Sequence, residues 1–155
     1  MKTLTLAFIL SLSSLAVADT KPQLNPAAAA AKKEIEKAFG FVPGFVHAMP
    51  QALLPSWWEA TKALSMNPST ALDGKTKELI GLAVAAATPC EYCVLFHTEA
   101  ARLNGANDQE IAEAVGIASL TKQGSTLLNG LLIDKAQFKK DVERIIKIAR
   151  AQMKK

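Results

Sequence analysis

Two cysteines, Cys90 and Cys93, stand three residues apart, and His97 follows one helical turn later. The chain has two cysteines and two histidines in all, and three of these four residues fall within eight positions. On a helix, positions i and i+3 share a face, so the two thiols can close a disulfide with little movement. A histidine four residues beyond Cys93 can take up a thiol proton or stabilise a thiolate. Glu78 is a lone carboxylate at the head of an otherwise apolar stretch, residues 79–87. A carboxylate leading into a buried helix needs a partner, and His97 is a reasonable one, because a carboxylate orients an imidazole and raises its basicity. Together these residues point to thiol redox chemistry with an acid–base relay.

Other chemistries of the same residues are weaker. A structural bridge over so short a loop constrains little chain. A zinc site would need further ligands, and only Glu78 and His97 are at hand. Val94 follows Cys93, so the pattern is not a haem attachment. His47, within the apolar residues 45–49, reads as structural. Trp57 and Trp58 read as core or subunit-interface residues rather than a substrate platform.

The elements that must position these groups are helical. No segment alternates with period two, and alanine supplies 27 of 155 residues, which favours closely packed helices. Residues 27–39 place Ala28, Ala31, Ile35 and Phe39 on one face, ended by Gly40. Residues 51–66, with the two tryptophans, form a second helix, its first turn set by Pro55 and its end by Asn67-Pro68. Asp73 caps the helix that carries Glu78. That helix is apolar or glycine throughout residues 79–87, which predicts burial on all sides. The cysteine helix is expected to start with Thr88 as N-cap, Pro89 at N1, Cys90 at N2 and Glu91 at N3 in a capping box. It runs to Leu103 and ends at Asn104-Gly105. Asp108 caps a further helix carrying Ile111, Val115 and Ala118, with Gly124 and Asn129-Gly130 as later punctuation. A final helix from about Asp134 carries the stripe Phe138, Val142, Ile145, Ile146, Ala149 and Met153. The expected fold is all-α, one domain of six to seven helices over residues 27–155.

Residues 1–18 read as a cleavable export signal. Lys2 precedes an apolar run, and Ala16-Val17-Ala18 forms a small-residue cleavage signature. The run is short for a bilayer span, so no stable membrane insertion is expected. Cleavage after Ala18 leaves 137 residues, begun by a tether at residues 19–26, in the periplasm or secreted, where disulfides persist. The net charge of +4 is spread over the chain without aromatic interleaving, which argues against nucleic-acid binding. The apolar surplus of so small a domain reads as subunit interface.

The constellation Glu78, Cys90-Glu91-Tyr92-Cys93 and His97 resembles the alkyl hydroperoxidase D-like branch of the carboxymuconolactone decarboxylase family. The flanks fit too. Residues 72–80, the Phe96-His97-Thr98-Glu99-Ala100-Ala101 segment, Gly105-Ala106 and Asp108-Gln109-Glu110-Ile111 look like its lead-in and exit, and Phe41-Val42-Pro43 looks like an upstream segment of peroxidase-related members. The resemblance covers residues 35–130. It implies an all-helical homo-oligomer, trimer or hexamer, that reduces hydroperoxides with no cofactor beyond its cysteine pair. By position it implies that Cys93 is the attacking thiol and Cys90 the resolving one, with His97 and Glu78 as proton relay. Helix-dipole reasoning favours Cys90 as the more acidic thiol, with adjacent Glu91 opposing it. Tyr92 occupies the place of a family histidine and is an auxiliary candidate, a hydrogen-bond donor but a poor base near neutral pH. Export separates the protein from the dihydrolipoyl partner of cytosolic members, so the reductant is a thiol or lipoyl-type donor not named by the sequence. Two alternatives use the same residues: an exported dithiol–disulfide oxidoreductase without peroxidase activity, and a decarboxylase of the wider family, whose chemistry does not need the cysteine pair.

Overall fold

The computed structural model describes residues 25–154; the expected export signal and most of the tether lie outside that range. The described residues form seven α-helices and one π-helical turn. Their contacts group into two compact units that divide between Glu59 and Ala60.

The first unit holds α1 (Pro26–Phe39), α2 (Gly44–Ala48) and all but the last residue of α3 (Leu54–Ala60). Asn25 and Pro26, assigned from the sequence to the tether, are instead the N-cap and first residue of α1. The Asn25 side chain accepts the N–H groups of Ala27 and Ala28. Gly40 ends α1 with φ of 81°, a left-handed conformation open to glycine. The core is Ala28, Ala31, Ile35, Val46, Leu54 and Trp58, with Val42, Met49 and Trp57 against it. The expected face of α1 is therefore buried, except that Phe39 lies at the edge with its ring against Trp58. Trp58 is 2% exposed and its indole N–H donates to Glu34 at 2.9 Å, so its polar atom is satisfied as its rings fill the core.

The second unit begins with the π-helical turn Thr61–Ser65, where Met66 N–H donates to Thr61 O. The single helix expected over residues 51–66 is thus a shorter α-helix followed by a wider turn. Next come α4 (Gly74–Ala87), α5 (Glu91–Leu103), α6 (Asp108–Gly130) and α7 (Lys135–Gln152). The expected cap of α4 is present, with Asp73 accepting Thr76 N–H at 2.7 Å, and α7 begins where expected, with Asp134 as its N-cap accepting Gln137 N–H at 2.7 Å.

Three boundaries differ from expectation. Thr88 does not cap α5. Its backbone N–H and hydroxyl both return to Val84 O, making it the C-cap of α4, and Cys90 takes the N-cap of α5. Asn107, not Asp108, caps α6 in a full capping box with Glu110. Gly124 does not interrupt α6, which continues to Gly130. One glycine costs a helix only about 1 kcal/mol. Thr121, Thr126 and Asn129 also bond back to carbonyls four residues earlier, filling the polar needs of that turn.

α4 packs against α5 and α6. Leu82 and Ala85 are buried there, but Ile80 and Val84 remain 49% and 58% exposed. The expectation that residues 79–87 are buried on all sides does not hold within one chain, because α5 and α6 cover only one side of the helix. α7 has no buried residue, so its apolar stripe is open in the single chain.

Glu110 ties α6 to α4. One carboxylate oxygen completes the capping box and the other receives Lys75 Nζ at 2.6 Å. The Lys75 ammonium, with the Asn107 N–H, holds the Glu110 carboxyl below its ordinary range, and the Thr76 N–H does the same for Asp73. A carboxyl depressed on folding stabilises above its unfolded pKa, and that contribution is lost as pH falls through its lower folded value. The melting temperature is therefore expected to drop below about pH 4.5. Glu110→Gln should lower it at neutral pH and flatten the acid limb; an unchanged acid limb would remove Glu110 from the explanation.

Candidate functional site

The site is built on the antiparallel pair α4 and α5. Glu78 lies in the second turn of α4. The two lysines near it are engaged elsewhere, Lys75 with Glu110 and Lys77 with the carbonyl of Asn67. No lysine of its own helix therefore competes for the Glu78 carboxylate. His97, 19 residues away in sequence, brings Nδ1 to 2.7 Å from Glu78 Oε2. The Glu78 side chain is 12% exposed and that of His97 30%, so the pair is shielded at the carboxylate and open at the imidazole. An ionised carboxylate accepts only, so Nδ1 carries the proton and Nε2 of the neutral ring is free to accept another. The rings of Phe96 and His97 meet in a T-shaped arrangement, with centroids 5.3 Å apart.

Cys90 and Cys93 are joined as a disulfide with Cα atoms 5.3 Å apart. Cys90 is at the N-cap rather than at N2, because the end of α4 captures its backbone: Cys90 N–H donates to Ala85 O. Its sulfur then receives Cys93 N–H at 3.3 Å, the role a serine or aspartate oxygen plays at other helix starts. Glu91 consequently falls at the first helical position and closes no capping box. Cys90 Sγ thus sits at the positive end of the α5 dipole, which favours a thiolate once the bridge is reduced. Cys93 and His97 are four apart on the same helix and share its face.

Ala85, Ala86, Pro89, Val94 and Leu95 line an open apolar groove of about 440 Å³ that reaches Cys90. Tyr92 is 89% exposed. His47, read from the sequence as structural, is exposed on α2 in the first unit. Among the described residues, no three His, Cys, Asp or Glu side chains converge to hold a metal ion.

One contributor escapes the sequence reading. Gly81 lies one turn beyond Glu78, and the imidazole of His97 rests on it. The only sign in the sequence is a lone glycine inside an apolar helix, which by itself says nothing about what covers it.

Residues 41–136, more than half of the chain, match the family described as carboxymuconolactone decarboxylase. The chain belongs to the carboxymuconolactone decarboxylase family. The matched span contains the whole α4–α5 site; α1 and nearly all of α7 lie beyond it. Among solved structures, the alkylhydroperoxidase AhpD core from Rhodospirillum rubrum is similar at 34% identity with a TM-score of 0.62, over 73% of this chain and 87% of that one. The all-helical fold is thus one this family member shares with that core. A protein described as uncharacterized protein 4 in the cox locus of Paracoccus denitrificans is 42% identical over 55 residues, 36% of this chain. That alignment spans about half the length of the relative. Family and fold together relate the protein to the alkylhydroperoxidases.

Proposed function

We propose that this protein is a thiol-dependent peroxidase that reduces hydroperoxides through Cys93 and Cys90, with His97 and Glu78 as proton relay. The observation that carries the reading is the joining, on one helix pair, of a cysteine pair at a helix start to an imidazole held by a carboxylate at 2.7 Å. In the reduced protein, the Cys93 thiolate attacks the distal oxygen of ROOH. The O–O bond breaks, Cys93 becomes a sulfenic acid, and RO⁻ takes a proton and leaves as ROH. The Cys90 sulfur then attacks the sulfenic sulfur and water departs, leaving the disulfide. His97 takes the Cys93 thiol proton through Nε2 and returns it to the departing oxygen, while Glu78 stabilises the imidazolium formed between these steps. A thiol or lipoyl-type donor supplies the two electrons that reopen the disulfide.

The working form we propose is an exported homo-oligomer, trimer or hexamer. The half-exposed apolar residues of α4 and the open stripe of α7 are more apolar surface than an isolated small domain leaves in water. Among the described residues no helix is long and apolar enough to cross a membrane.

Thiol counting tests the reading. Reduced protein given one equivalent of hydroperoxide is expected to lose two free thiols and yield one equivalent of alcohol. A dithiol oxidoreductase without peroxidase activity would lose its thiols no faster with peroxide than with air.

A further inference from the structure

α4 contains two glycines, Gly74 and Gly81, seven residues apart, and each is covered by a side chain from α5 or its C-cap. Asn104 lies over Gly74 and His97 over Gly81, again seven residues apart and in antiparallel order. The seam between the helices thus has two seats, two turns apart, in a single register. At Gly81 the fit is close. A Cβ there would stand 2.5 Å from His97 Cε1, 2.6 Å from Nδ1 and 2.8 Å from Nε2. All three ring atoms lie nearer than a methyl group allows, so the imidazole rests on bare backbone. Nδ1, the atom bound to Glu78 at 2.7 Å, is among them. Any side chain at position 81 must push the ring outward, and the hydrogen bond to Glu78 goes with it. The ring can yield, because it is the partly exposed end of a side chain. Glycine is also a poor choice for the middle of a helix on grounds of helix stability. Its presence there calls for a packing reason, and the imidazole supplies one.

We propose that Gly81 is a positioning residue: its missing side chain is the seat that lets His97 reach Glu78 and fixes which imidazole nitrogen is free. The geometric claim stands on the helix pair alone; its consequence for turnover rests on the peroxidase reading.

The test uses the full chain with ¹⁵N-labelled histidine. In the wild type, His97 should show the tautomer with a protonated, exchange-protected Nδ1, and NOEs from its ring to the Gly81 Hα protons. In Gly81→Ala the protected Nδ1–H should be lost, as in Glu78→Gln. The rate of peroxide-driven disulfide formation should fall at least tenfold. A glycine with a merely structural role would leave the imidazole signature unaltered, whatever the change in stability. An unchanged Nδ1–H signature in Gly81→Ala overturns the proposal. So does a wild type without the ring-to-Gly81 NOEs, a measurement that does not depend on the variant folding. If the signature shifts as expected but wild-type protein does not react with peroxide, Gly81 keeps its positioning role and the peroxidase reading fails.

Discussion

Cys93→Ser is expected to lower peroxide consumption by at least about 10³-fold, because a hydroxyl cannot replace a thiolate as nucleophile toward an O–O bond. The companion change, Cys90→Ser, should behave differently. A first equivalent of peroxide is still consumed, but the reaction halts at a Cys93 sulfenic acid that a sulfenic-acid-selective reagent can label. The pair of results separates the two roles. The sulfur of Cys90 caps α5 and sits at the positive end of its dipole, so it has the stronger electrostatic claim to be a thiolate. Cys93 shares a helix face with His97, so it has the better claim to a base. Stopped-flow consumption by each variant decides between them. If Cys90→Ser is silent and Cys93→Ser accumulates the sulfenic acid, the order of attack is reversed.

His97→Ala should cost about 10²-fold or more in the rate of thiol oxidation, the usual contribution of a positioned general base. Glu78→Gln should lose a similar factor by another route. An amide can donate as well as accept, so it no longer selects the tautomer that leaves Nε2 free. Because the two side chains act as one unit, the double variant should be no slower than His97→Ala alone. Additive losses would mean that Glu78 and His97 work independently, and a Glu78→Gln protein at wild-type rate would remove the carboxylate from the relay.

The Glu78–His97 pairing is legible in the sequence because it follows from elementary electrostatics: a lone carboxylate opening an apolar helix has to be satisfied, and few groups are available to do it. The cap at Asp73, the start of α7 near Asp134 and the buried face of α1 are legible for similar local reasons. The start of α5 is not. Thr88-Pro89-Cys90-Glu91 contains a plausible capping box, and what defeats it is the preceding helix, whose carbonyls at Val84 and Ala85 capture Thr88 and Cys90 first. Competition between a helix end and a helix start is invisible to a reading that treats each separately. Asn107 and Asp108 pose the same difficulty in a milder form, since both residue types cap well. Gly81 lies further beyond reach, because its role exists only where two helices approach, and neither helix announces it.

The last helix bears on the charge of the molecule. Residues 134–155 hold eight of the eighteen lysines and arginines but three of the fourteen acids, so the remainder of the sequence is net −1. The sequence pI of about 9.1 is therefore a property of one end of the chain and not of the fold that carries the cysteines. A chain cut after Ile133 would behave as a near-neutral protein on an ion-exchange column while keeping Glu78, Cys90, Cys93 and His97. The positive charge of the full chain is concentrated along the sequence in its amphipathic last helix. Added salt should therefore weaken whatever α7 attracts before it disturbs the packing of α4 on α5, which depends on close contact rather than on distant charge.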